Sequence, residues 1–172
     1  MSFLHNTYSV LFRPQESFRD LSSNYSSGLL LQGLGLIIFI SLIYQEPSIP
    51  GVLAYSSSWL IATSLIFLLA YIFKLEASAY PRFLALLAFA HLPLIFFAPA
   101  SILSNFNFVL GSLAQLGILI WTFSLNIIAI AELCQISKLK ASLIFLLPPL
   151  AVALLVFKFA LGLIADIIQM LK

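Results

Sequence analysis

Apolar residues run through this chain in long blocks, and do not alternate or keep to one helical face. Five blocks approach the ~20 residues that a helix rising 1.5 Å per residue needs to cross a bilayer. They cover residues 28–44, 55–73, 82–101, about 108–132 and about 142–171. The breaks read "QEPSIPG", "KLEASAYPR", "NFN" and "CQISKLKA", and each holds turn formers or charges that would be costly in hydrocarbon. "NFN" carries no charge. Were it not a true break, the third and fourth blocks would form a re-entrant hairpin.

One stretch has a different pattern. In "LFRPQESFRDL" and just beyond it, Leu11, Phe18, Leu21 and Tyr25 recur at helical spacing, while Arg13, Glu16, Arg19 and Asp20 take the other face. Pro14 suits the first turn of a helix and Glu16 lies near its positive end. The pattern predicts a short amphipathic helix lying on the cytoplasmic leaflet with its apolar side toward lipid. The expected architecture is an all-α integral membrane protein. Residues 1–27 form a cytoplasmic segment with the interfacial helix, and residues 28–172 form a five-span domain.

Composition agrees. The chain is 62 % hydrophobic and 8 % charged, too few charges to cover a soluble domain, so the bilayer must act as solvent. A net charge of +2 gives no reason to expect nucleic acid as a partner. Membrane lipids and other membrane proteins, or a second copy, are the expected partners. The one cysteine, Cys134, leaves no internal disulfide and no cysteine-based metal cluster. The first apolar block begins late and offers no small-residue cleavage site, so it reads as a retained span, not a secretory signal.

The basic residues orient the chain. With the N-terminus inside, cytoplasmic segments hold Arg13, Arg19, Lys74, Arg82, Lys138 and Lys140, while Lys172 alone lies outside. This bias predicts N-in, C-out. Tyr44, Tyr55 and Trp59 then fall at the outer interface, with Tyr71 and Tyr80 at the inner one.

Three groups of residues are candidates for function. His91 and Asn126, at roughly 13 and 12 Å from the inner ends of antiparallel spans, lie at one depth, with Ser64 nearby. They form either a polar midplane site for a proton or small ligand, or hydrogen bonds that hold helices together beside Pro93. Lys158 is the deepest charge. It either snorkels toward Asp166 or faces a partner, with Gln115 at comparable depth. Arg13, Arg19, Glu132, Lys138 and Lys140 form a candidate cytoplasmic docking edge, or simply the loops that set topology. Gly33, Gly35, Gly111 and Gly117 allow close helix approach, and Pro148-Pro149 kinks the fifth span or delays its regular start. No HExxH, GxSxG or GxxxxGK[ST] motif occurs and no carboxylate pair shares a span. The expectation is therefore no catalytic residues, no cofactor and no metal.

Three stretches together carry a family resemblance: "RPQESFRDL", "AYPRFLALLAFAHLPLIF" and "WTFSLNIIAIAELCQISKLKASLIFLLPPL". The chain resembles the Yip family of five-span membrane proteins, named for interaction with Ypt/Rab GTPases, in its compact prokaryotic form. The resemblance implies the five-span N-in fold and a prokaryotic cytoplasmic, or other internal, membrane. Eukaryotic members carry a long cytosolic region before their spans, whereas about 27 residues precede the first block here, which makes a Rab-type GTPase a doubtful partner. A non-enzymatic scaffold or adaptor is the expected function. A small oligomeric transporter or channel using the His91–Asn126 level is the alternative, and an intramembrane enzyme stands last.

Overall fold

The computed structural model describes residues 3–44, 48–72 and 76–170. Among these there is no strand, and eight α-helices follow one another: α1 (Phe3–Phe12), α2 (Pro14–Ser23), α3 (Ser27–Tyr44), α4 (Ile49–Ile72), α5 (Tyr80–Ala90), α6 (Phe97–Phe106), α7 (Phe108–Cys134) and α8 (Lys138–Met170). A 3₁₀ segment, Leu92–Phe96, joins α5 to α6, so the two form one interrupted span. Four helical segments are long and apolar enough to cross a membrane: Ile49–Ile72, Tyr80–Phe106, Phe108–Cys134 and Lys138–Gly162. α3 is the shorter apolar helix beside them.

The boundaries shift where punctuating residues serve as caps. α4 starts six residues before the block at 55, because Ser48 caps it, accepting from Gly51 N at 3.2 Å, and Pro50 fits the first turn. The uncharged "NFN" is a true break of one residue. Asn107 is extended, and its Oδ1 accepts from Leu110 N at 3.1 Å to begin α7. α7 ends on Gln135 in the left-handed conformation (φ 52°), closed by Ile136 N to Ala131 O at 3.1 Å. Ser137 then precedes α8, so Lys138 and Lys140 belong to a helical first turn and not to a loop.

α5 is the hub. Every side chain from Phe83 to Ala90 is buried, with α3, α4, α7 and α2 packed around it. Alanines at 85, 88 and 90 keep this helix thin, so neighbouring backbones come close and gain dispersion energy, which lipid solvent does not otherwise reward. A Cβ at Gly33 of α3 would sit 3.0 Å from Ala88 Cβ and 3.3 Å from Ala85 Cα. Gly35 and Gly117, expected to serve the same purpose, have nothing within 4 Å. Gly33→Leu should therefore cost about 1–3 kcal/mol of thermal stability in detergent, whereas Gly35→Ala should be neutral or slightly stabilising. Equal melting temperatures for the two variants would contradict the α3–α5 contact.

The N-terminal helices correct the expectation of a helix on the leaflet. Pro14 does begin α2, but the stretch before it is helical too, and the two helices meet at Arg13. The face assigned above to lipid is turned into the protein. Phe18 is 0 % exposed and Leu21 is buried, in a layer shared with α7 and α5. α1 lies against α5 and the 3₁₀ segment, with the Phe3 ring 6.1 Å from Phe89. An apolar stripe on a short helix satisfies either a lipid surface or a protein groove equally well. Here the groove beside α7 takes it.

Candidate functional site

The α5–α6 span breaks where Pro93 has no N–H to continue the helical ladder. His91 N bonds Ala88 O at 3.1 Å in a tightened turn, and Leu94 N bonds His91 O at 3.0 Å. Leu87 O is then taken by the His91 ring, with Nδ1 at 2.7 Å. A carbonyl only accepts, so Nδ1 carries the proton, and in the neutral ring Nε2 is left as an acceptor. The imidazole thus closes the broken turn with one nitrogen and keeps the other for the bundle interior.

Two further polar groups stand beside it. Trp59 of α4 meets the His91 ring edge-on, with centroids 6.2 Å apart and planes at 89°. Its place on the outer aromatic belt is corrected: it is 7 % exposed and belongs to the core. Asn126 of α7 is 0 % exposed, and its Nδ2 donates to Thr122 O at 2.8 Å. Within the described residues neither Trp59 Nε1 nor Asn126 Oδ1 finds a hydrogen-bond partner. Trp59, Thr63, His91, Asn126, Pro148 and Pro149 all line one cavity of about 470 Å³ between α4, α5, α7 and α8. Its remaining wall is apolar and includes Leu65 and Val152, which are exposed on the bundle surface.

Of the three residues expected at mid-depth, His91 and Asn126 share this cavity and Ser64 does not. Ser64 hydrogen-bonds Tyr80 Oη at 2.7 Å and donates to Leu60 O at 2.7 Å, on a separate surface groove. Trp59, Thr63 and the proline pair were not among the sequence candidates for this site. The sole hint was spacing: Trp59 and Thr63 lie four apart and therefore on one face of α4.

The other candidates are dispersed. Gln115 does not face Lys158. Its amide donates to Ser101 Oγ and Ser104 Oγ, both at 3.3 Å, holding α6 to α7. Lys158 is exposed on α8, and the side chain of Asp166 lies outside the described residues. Of the residues expected to form a cytoplasmic edge, Arg19 Nε pairs with Glu132 Oε2 at 3.2 Å and ties α2 to the end of α7. Arg13 instead lines a small polar crevice between α1 and α2 with Glu16 and Asp20. Lys138 and Lys140 are exposed in the first turn of α8. Lys74, used above for orientation, lies outside the described residues.

The apolar helices long enough to cross a bilayer, packed around a thin buried hub, define a multi-pass α-helical membrane protein. The family model "Yip1 domain" matches residues 8–160, and the chain belongs to that family. No curated protein and no solved structure gives a significant match.

Proposed function

We propose that the protein is a non-enzymatic membrane scaffold of the Yip type, crossing the membrane five times with its N-terminus inside. The observation that carries this is α8. Every residue from 151 to 162 is exposed, and all but Lys158 and Gly162 are apolar. At 33 residues the helix is roughly 50 Å long against a hydrocarbon core of about 30 Å. Lys158 lies twenty residues, roughly 30 Å, beyond the helix start, which puts its ammonium at the far interface, where it can snorkel. Residues 151–162 of α8 are a stretch exposed all round the helix and apolar but for two positions, suited to packing against a helix of another membrane protein.

Parity supports the fifth span. The Arg19–Glu132 pair holds α2 at the end of α7 that leads to Lys138. Three candidate spans separate Ser48 from Lys138, so Ser48 emerges on the opposite face. α3 runs from the α2 side to Ser48 and must therefore cross. Its 18 residues, roughly 27 Å, suffice for a nearly upright helix.

The test is native mass spectrometry after extraction in mild detergent. The wild-type chain should travel with one membrane partner at fixed stoichiometry. A Leu154→Glu, Leu155→Glu chain should lose that partner while keeping the melting temperature of α1–α7. Retention of the partner by the double variant would overturn the α8 reading. A small transporter remains the second reading, favoured by one observation, the cavity shared by His91 and Asn126. It requires substrate-dependent flux in vesicles and reaction of a cysteine at 91 with an aqueous thiol reagent.

A further inference from the structure

We propose that the cavity between α4, α5, α7 and α8 is a binding site for an uncharged lipid bearing a hydroxyl group, such as a long-chain alcohol. Four features define the ligand. Its size is set by a volume of about 470 Å³, within the range of small-molecule sites. Its route is from the bilayer, because the cavity wall includes Leu65 of α4 and Val152 of α8, both exposed on the apolar surface. Its charge is zero, because among the described residues no Asp, Glu, Lys or Arg lines the cavity, and an ion placed there would be unpaired at membrane depth.

Its polar group follows from what the wall leaves unsatisfied. Among the described residues Trp59 Nε1 is a donor without an acceptor, and Asn126 Oδ1 is an acceptor without a donor. A buried polar atom with no partner costs free energy that water cannot relieve inside a membrane. One hydroxyl answers both needs: its oxygen accepts from the indole and its proton goes to the amide oxygen. His91 Nε2 is a second acceptor, since Nδ1 is committed to Leu87 O. A ketone or ester would satisfy Trp59 alone, and an alkane neither group. Both atoms are shielded in the packed wall, so a modest rotation of the indole or amide accompanies binding. The alkyl chain then lies along Leu65, Val152 and the ring faces of Pro148 and Pro149. In α8 the prolines that line the cavity remove the N–H groups that Ile144 O and Phe145 O would otherwise accept.

Occupancy does not depend on whether the ligand is carried across or simply kept, so it stands or falls separately from the scaffold reading. The experiment uses the full chain in nanodiscs with a hexadecanol probe carrying a diazirine and an alkyne, beside the matching probe without the hydroxyl. The alcohol should label peptides of α4 and α8 around Thr63 and Pro148, be displaced by plain hexadecanol, and exceed the alkane roughly tenfold. Asn126→Leu or Trp59→Phe, each removing one of the two hydrogen bonds, should reduce that preference to roughly threefold, and the double variant to about onefold. A second measurement guards against misfolding of these variants. The chain has two tryptophans, so in Trp121→Phe the emission reports Trp59 alone. Hexadecanol should shift that emission to the red as the indole N–H gains a partner. Equal labelling by alcohol and alkane, labelling confined to other peptides, or an unmoved Trp59 emission would each overturn the proposal.

Discussion

A Phe18→Glu chain is expected to lose the packed end of the bundle where α2 meets α7 and α5. Phe18 is 0 % exposed, in the layer where α2 meets α7 and α5. A carboxylate there would be desolvated in an apolar layer, a cost of about 3–5 kcal/mol. That is a large part of the whole stability of a typical domain. The companion change, Arg19→Gln, acts on a side chain that is 64 % exposed. Water already screens its pairing with Glu132, and the loss should stay within about 1 kcal/mol. Thermal melting in detergent, followed by size-exclusion chromatography, separates the two. Unchanged melting for Phe18→Glu would mean that the apolar face of α2 is not buried.

The second large effect is expected at Gly111. α6 and α7 fold back on each other across the single residue Asn107, and a Cβ at Gly111 would overlap both the side chain and the backbone of Ser104. Backbone cannot rotate aside as a side chain can. Gly111→Leu should force the hairpin apart at about 3 kcal/mol or more, breaking the Gln115 bridges to Ser101 and Ser104 as well. Gly117→Ala, on the same helix with nothing near it, should be neutral or gain up to about 1 kcal/mol from helix propensity. If both glycines tolerate substitution equally, the tight hairpin is wrong.

The contrast between those two glycines shows where sequence reasoning reached and where it stopped. The apolar blocks were legible because hydrocarbon imposes a length and forbids exposed backbone, so each span leaves a run of about 20 residues in the sequence. The depth match of His91 and Asn126 was legible for a similar reason: 1.5 Å per residue converts sequence offset into height. Azimuth has no such ruler. Gly111 and Gly117 lie on one helix, and only packing decides which meets a neighbour. Ser64 was expected near His91 on height alone, but it faces Tyr80. Gln115 was expected opposite Lys158 on the same basis, but it faces α6. Trp59 was read as an interface anchor, the commonest setting for a tryptophan near a span end, because the early start of α4 at Ile49 was hidden by the proline and glycine beside it. That early start puts Trp59 ten residues inside the helix and level with the site.

The five-span topology proposed for the scaffold rests on α3 crossing the membrane, so that α2 and the first turn of α8 share one face. Single cysteines at Ser23, Ser48 and Lys138, in a Cys134→Ala background, test this in intact cells or sealed right-side-out vesicles with an impermeant thiol reagent. Ser48→Cys should react from outside. Ser23→Cys and Lys138→Cys should react only after the membrane is opened. Reaction of Ser23→Cys and Ser48→Cys from the same side would show that α3 does not span, and would contradict the five-span bundle.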